Sequence, residues 1–299
     1  YWRDLKVVST EAVTIIGAGQ AGFQMAAAMR ELGHQGSLVL VGEESSAPYQ
    51  RPPLSKAFLS SEMGRDSLAF RSPQFFGMHD IDLPVNATAV AIDRRQRLVH
   101  FADGKSVGYD RLVLATGTRP RKLPVPGSEL NGVFTLRTLH DAERIAACLR
   151  DDTRLTVVGG GFIGLEVAAA RPIGSTTTIV ESATRLMARV VSEPVSDYFA
   201  RAHQEWGAQL LLGETVKSFA GKDGRLRAVE LGTGEVVATD VAVVGIGAIP
   251  NTELATQCGL KVDNGIVVDA HLRTSDECIW AIGDCANFLS TEQQKWMRV

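Results

Sequence analysis

Short apolar runs closed by a glycine cluster and followed by an alanine-rich stretch of helical character occur twice along this chain. The first run is Ala12-Val13-Thr14-Ile15-Ile16; the helical stretch Phe23 to Leu32 comes after it, and a second apolar run, Ser37 to Val41, leads to Glu43. The second copy reads Leu155-Thr156-Val157-Val158, then Leu165 to Ala170, then Thr177 to Val180 with Glu181 behind it. Apolar runs of this length bounded by glycine predict buried strands, and the stretch between two of them predicts a crossover helix. The pattern therefore predicts an α/β chain with two Rossmann-like dinucleotide-binding domains.

The strand-to-helix junctions carry the chemistry. They are Gly17-Ala18-Gly19-Gln20-Ala21-Gly22 and Gly159-Gly160-Gly161-Phe162-Ile163-Gly164. In each, the first glycine allows the tight turn, the second lets backbone N–H groups approach a pyrophosphate, and the third lets helix pack on strand. The helix N-terminus then faces the phosphate charge. Glu43 and Glu181 lie about 20 residues beyond the glycines, where a carboxylate accepts from a ribose diol. A single fingerprint is a weak signal; the whole βαβ unit, present twice, predicts two bound dinucleotides.

Between the fingerprints, Pro48-Tyr49-Gln50-Arg51-Pro52-Pro53-Leu54-Ser55-Lys56 predicts a loop, because prolines are excluded from strand and helix interiors, with Ser55 as a cap for the segment after it. Loops at the carboxyl ends of such strands are where ligands sit, so Arg51 and Lys56 are candidate cofactor contacts. Ala89 to Tyr109 predicts hairpins, with Arg94, Arg95 and Arg97 in a solvated turn. Arg111 to Leu114 predicts a buried strand running into Ala115-Thr116-Gly117, whose small residues permit close backbone approach to a cofactor. Leu123 to Gly127 predicts a crossing between domains. Val229 to Val237 predicts another hairpin, and Val241 to Val244 a strand ending at Gly245-Ile246-Gly247, the counterpart of Ala115-Thr116-Gly117. In the tail, Ile266 to Asp269 and Ile279 to Ala286 predict two more strands, with Asp284 placed to accept from a sugar hydroxyl or polyol.

Composition narrows the classes. With 299 residues, 45% of them hydrophobic, the chain is long enough for two domains, and a net charge of −3 offers no basic excess for nucleic acid. No apolar run approaches the ~20 residues of a membrane span, and Tyr1-Trp2-Arg3-Asp4 carries no signal-peptide pattern, so no membrane contact and a cytoplasmic location are expected. Cys148, Cys258, Cys278 and Cys285 form no C-x-x-C pair, so no metal site is expected and the four read as small buried apolar side chains.

Together the paired fingerprints, Pro48 to Lys56, Ala115-Thr116-Gly117, Leu136-Arg137-Thr138, Gly159 to Glu166, Gly245 to Asn251 and Gly283-Asp284 resemble the FAD-dependent, NADH-oxidising ferredoxin reductases of the putidaredoxin reductase group. The resemblance runs from about Val13 to the end. It implies the glutathione-reductase-like FAD/NAD fold, with residues 1–121 and 248–299 forming an FAD domain and residues 122–247 an inserted NADH domain. Gly17, Gly19 and Gly22 would cradle the FAD pyrophosphate and Glu43 the adenosine ribose. Arg51, Lys56, Val90, Ala115, Arg137 and Asp284 would line the rest of the FAD site, with Asp284 on the ribityl chain and Lys56 near flavin N5. Glu166 matches a carboxylate beside the nicotinamide that pairs with the Lys56 position, which makes Lys56 and Glu166 the expected catalytic pair.

The implied activity is hydride transfer from NADH to FAD, then single-electron transfer to a [2Fe-2S] ferredoxin of an oxygenase system. Rubredoxin reductases and the apoptosis-inducing-factor group share most of the motifs, and a fragment binding FAD and NADH without efficient turnover is the reading from another class. Glu181 repels a 2′-phosphate and favours NADH over NADPH, while Arg185 nearby weakens that inference. Enzymes of this plan that relay electrons through cysteine need a thiol in the first unit, and the first cysteine here is Cys148. Both ends of the chain read as cut, and the resemblance implies a third, C-terminal domain absent from this sequence. Pro172 is expected to break the helix after the second fingerprint.

Overall fold

The apolar runs become strands that end level with one another. The computed structural model describes residues 9–290 and 295–298; Tyr1 to Asp4 and Val299 lie outside the described residues. One unit comprises the chain up to Gln50, Ala69–Arg119 and the chain from Ile249. Its sheet is parallel, in the order Ile279–Ala281, Arg111–Leu114, Val13–Ile16, Leu38–Val41. Ile16 is in register with both Leu114 and Val41, so Gly17, Ala115 and Gly42 emerge together at the carboxyl edge. That edge is where ligands bind in open α/β sheets.

Alternation sorts the side chains between two cores. Val13, Ile15, Leu38, Leu40 and Val113 pack against Phe23 and Ala26 of the helix Gln20–Glu31. Ile16, Leu112, Leu114 and Ile279 face the other way, toward Ile92 and Val99 of an antiparallel sheet formed by Ala89–Asp93, Leu98–Phe101 and Ser106–Gly108. Burial on both faces explains why these strands are mostly apolar, the buried Thr14 hydroxyl being satisfied by the Gly108 carbonyl. Phe23 also stacks on Phe70, ring centroids 4.9 Å apart.

The second unit, Arg51–Leu68 with Pro120–Ala248, repeats the plan. Its parallel sheet runs Ala208–Leu212, Thr176–Glu181, Arg154–Val158, Val241–Val244, Val133–Phe134. Val158 is in register with Val180 and Val244, so Gly159, Glu181 and Gly245 again share one edge. The antiparallel sheet here is Val216–Lys222, Arg225–Leu231 and Val236–Ala238. The chain is thus an α/β protein of two Rossmann-like units.

The helix Phe162–Ala169 stops before Pro172, in line with the break expected there, and the Arg171 guanidinium ties its end down by donating to the carbonyls of Ala168 and Trp206. Other expectations need correction. In the tail, Ile266–Val268 and Ile279–Ala281 are strands, but Ala286–Ser290 and Lys295–Arg298 form a further antiparallel pair that the sequence did not signal. Arg94 is not simply solvated: its Nε donates to Asp276 Oδ2 at 2.6 Å. Among the described residues no helix is long and apolar enough to cross a membrane, and no group of three or more His, Cys, Asp and Glu residues is arranged to hold a metal ion.

Candidate dinucleotide sites

The glycines of each fingerprint answer to different neighbours. Gly17 and Gly159 have φ of +111° and +108°, which only glycine adopts without strain. A side chain at either would also overlap a carbonyl group, that of Ala115 or of Gly245. At Gly22 and Gly164 an added Cβ would collide with the carbonyl oxygens of Gly17 and Gly159, so helix and strand could not close together. At Gly19 and Gly161 a Cβ meets nothing within 4 Å. The fold makes no demand for glycine at these two positions; a ligand pressed against the backbone would. Both residues are N-caps without a side-chain cap bond, and neither helix they open has an acidic residue in its first turn. The leading N–H groups and the positive end of the helix dipole are thereby left for an anion, and the residues fit a dinucleotide pyrophosphate at each junction.

In the first unit, the small-residue turn is wired to the tail. Thr116 Oγ1 donates to the Asn251 carbonyl at 2.6 Å, Asn251 Nδ2 returns to the Thr116 carbonyl at 2.9 Å, and Asn251 N–H donates to the Gly117 carbonyl at 2.9 Å. Thr118 Oγ1 donates to Asp284 Oδ2 at 3.2 Å. Asp284 sits in the 3₁₀ turn Gly283–Cys285, where Gly283 lies so close to Ala21 that a side chain would clash with its methyl group. Asp284, Ala115, Thr116 and Gly117 are thus brought to the fingerprint containing Ala18, Gln20 and Ala21. Glu43 is exposed just past the strand Leu38–Val41, and Val90 is exposed on the antiparallel sheet. Arg51, Lys56 and Arg137 belong to the second unit.

There, Arg51 donates to the Arg137 carbonyl at 2.6 Å, and Arg137 N–H donates to Asp141 Oδ2 at 3.1 Å. Asp141 also closes a capping box with Thr138 at the start of the helix Leu139–Cys148, which explains the Leu136-Arg137-Thr138 motif as a helix entry. Lys56 Nζ pairs with Glu166 Oε1 at 2.8 Å, and Ser55 Oγ donates to Glu166 Oε2 at 2.5 Å. Ser55 therefore does not cap the segment after it; it closes the 3₁₀ turn Pro52–Ser55 and reaches a carboxylate on another element. Glu181 Oε2 accepts from Gly160 N–H at 2.6 Å and its Oε1 from Ala183 N–H at 2.7 Å, which fixes a carboxylate beside the fingerprint. Gly160 leaves room for Leu186 and Glu181, a role the pattern did not reveal. Arg185 is spent within its own loop, donating to the carbonyls of Val191 at 3.0 Å and Ala188 at 2.8 Å. Phe162 and Ile163 are exposed at the helix start, and Gly247, at φ +104°, has open space beside it.

The cysteines depart from expectation. Only Cys285 is buried, with Cys258 and Cys278 partly so and Cys148 exposed. Burial pushes the Cys258 thiol above its ordinary pKa, away from the thiolate needed for nucleophilic chemistry.

Comparison with known proteins gives a consistent result. A family profile described as pyridine nucleotide-disulphide oxidoreductase matches residues 11–299. The chain is 50% identical over 278 residues to rhodocoxin reductase of Rhodococcus erythropolis, covering 93% of this chain and 65% of that protein. It is 43% identical over 277 residues to a probable ferredoxin reductase of Castellaniella defragrans, covering 92% of this chain and 68% of the relative. A crystal structure of the covalent putidaredoxin reductase–putidaredoxin complex superposes with a TM-score of 0.94 at 41% identity, over 97% of this chain and 71% of that one. The chain thus spans about two thirds of the length of these relatives.

Proposed function

Since the chain belongs to the pyridine nucleotide-disulphide oxidoreductase family, we propose that it is an NADH-dependent flavoprotein reductase that delivers electrons to a [2Fe-2S] ferredoxin of an oxygenase system. The observation that carries the reading is the pair Gly19 and Gly161, two glycines with no protein neighbour to require them, each at the open N-terminus of a helix.

In this reading Gly17, Gly19, Gly22, Glu43, Val90, Ala115 and Asp284 hold FAD; Gly159, Gly161, Gly164, Glu181 and Gly247 hold NADH. The division into an FAD domain of residues 1–121 and 248–299 and an NADH domain of residues 122–247 belongs to the same reading. FAD, when bound, supplies the conversion of a two-electron hydride donor into single electrons. The chain's own work is positional. Gly161 and the first N–H groups of Phe162–Ala169 take the NADH pyrophosphate, and the fixed Glu181 carboxylate accepts from the adenosine ribose. A 2′-phosphate would meet that carboxylate directly, and Arg185, tied to two carbonyls, is not available to offset the repulsion. NADH is therefore the donor. Lys56 and Glu166, held as an ion pair at 2.8 Å, orient the nicotinamide.

No thiol takes part in the transfer. The first cysteine is Cys148, beyond the whole first βαβ unit, and Cys285 donates to the Leu114 and Ile282 carbonyls. Electrons leave for the partner without a disulfide relay, in the cytoplasm where NADH is supplied. The test is to mix the FAD-loaded chain with NADH and an oxidised [2Fe-2S] ferredoxin, and separately with rubredoxin, following the acceptor's visible absorbance. Ferredoxin reduction that requires both NADH and the chain is expected. Reduction of rubredoxin alone would reassign the acceptor, and reduction of neither would overturn the reductase reading.

A further inference from the structure

The ion pair between Lys56 and Glu166 does not hold its own geometry. Lys56 is half exposed, its ammonium otherwise makes a long 3.5 Å contact with the Pro52 carbonyl, and an ion pair in such a setting gains little net free energy and tolerates many arrangements. The terminal torsion of a glutamate is broad and two-fold, so Coulomb attraction alone leaves the carboxylate plane free to turn. A different contact is suited to fixing it. Ser55 is 5% exposed, and its hydroxyl donates to Glu166 Oε2 at 2.5 Å while Lys56 takes Oε1 at 2.8 Å. A buried hydroxyl bonded to a carboxylate is a charge-assisted, directional contact.

Both anchors of that contact are stiff. Ser55 ends a 3₁₀ turn that opens with Pro52 and Pro53, and Glu166 lies in mid-helix on Phe162–Ala169. Ser55, the last residue of the turn, and Lys56, directly after it, therefore grip the two oxygens of one carboxylate, from 111 residues away in sequence in the case of Ser55. We infer that Ser55 is a positioning residue of the reductase: its hydroxyl sets the plane of the Glu166 carboxylate and, through it, the placement of the Lys56 ammonium. This rests on the reading that Lys56 and Glu166 serve the hydride step.

The test uses the full FAD-loaded chain with Ser55→Ala, and with Ser55→Cys, whose thiol is a weak donor, as the second variant should the alanine chain fail to fold. Two readouts are taken. In the absence of NADH, acylation of Lys56 Nζ by acetic anhydride, monitored by mass spectrometry, is expected to run about three-fold faster once the carboxylate is free to turn. In rapid mixing with NADH without oxygen, flavin bleaching at saturating NADH is expected to slow about ten-fold, as for loss of one charge-assisted hydrogen bond, with half-saturating NADH little changed. In a Glu166→Gln background the same removal of the hydroxyl is expected to add nothing. Unchanged Lys56 reactivity, or a loss of rate that persists in full in the Glu166→Gln background, would overturn the inference. If the wild-type flavin is not bleached by NADH, the reductase reading fails, while the acylation result still decides whether Ser55 places Lys56.

Discussion

A methyl group added at Gly19 or Gly161 meets no protein atom within 4 Å, so Gly19→Ala and Gly161→Ala chains are expected to unfold at the wild-type temperature. Their loss is one of ligand. Gly19→Ala is expected to lower FAD retention on gel filtration, and Gly161→Ala to keep FAD but raise half-saturating NADH about ten-fold, the loss of roughly one good contact. Gly22→Ala and Gly164→Ala, whose Cβ would strike a carbonyl oxygen, are expected to destabilise the chain by several kcal/mol, measured by urea unfolding. The same division separates Glu181 from Arg185. Arg185→Ala is expected to leave the NADH-to-NADPH ratio of flavin bleaching rates unchanged, because its guanidinium already serves two carbonyls, whereas Glu181→Ala is expected to lower that ratio about ten-fold by removing the ribose acceptor. The fingerprint glycines were legible because their roles are local and steric. Ser55, Asn251 and Leu186 were not, since their partners Glu166, Thr116 and Gly160 lie elsewhere in the chain and no spacing announces them.

Elements that cross a sheet edge to edge were legible from their apolar runs, and those whose role depends on a distant neighbour were not. The hairpin Ala286–Ser290 with Lys295–Arg298 mixes polar and apolar residues without strict alternation, and its pairing fixes a conformation that propensity leaves open. The short helix Phe162–Ala169 and its successor Glu193–Glu205 are joined by Arg171, which bonds the end of each. His203 lies buried on the second of these helices, 2% exposed, beside Trp206 and with no hydrogen-bond partner for its Nδ1 among the described residues. Burial first, and Arg171 second, hold its pKa below the ordinary value of 6.5. The unfolded chain therefore binds a proton at His203 that the native chain refuses, so this contribution to stability is complete above about pH 6.5 and declines as the pH falls below it. The midpoint of thermal unfolding is expected to drop between about pH 6.5 and 5, and His203→Gln to flatten part of that drop. His34, whose pKa burial also lowers, accounts for a further part. A His203→Gln chain with an unaltered pH dependence would contradict this assignment.

Across the whole molecule the same plan is laid down twice, a parallel sheet with a glycine turn at its edge and an antiparallel sheet packed behind, so the doubling seen in the hydrophobic pattern extends to the three-dimensional organisation. The units are interleaved in sequence: Arg51–Leu68, between two stretches of the first unit, carries Lys56 into the second unit beside Glu166. That exchange was invisible in the apolar pattern, because a proline-rich loop has no periodicity to show which sheet it joins. It also brings a lysine and a glutamate from distant parts of the chain into one ion pair, and the proposed chemistry depends on it. The direct test is an oxygen-free titration of the FAD-loaded chain with NADH and, in parallel, NADPH, monitoring flavin absorbance. The account predicts stoichiometric bleaching by NADH with a long-wavelength charge-transfer band, and much slower bleaching by NADPH. A flavin that stays bound yet is reduced by neither, or is reduced equally fast by both, would contradict it.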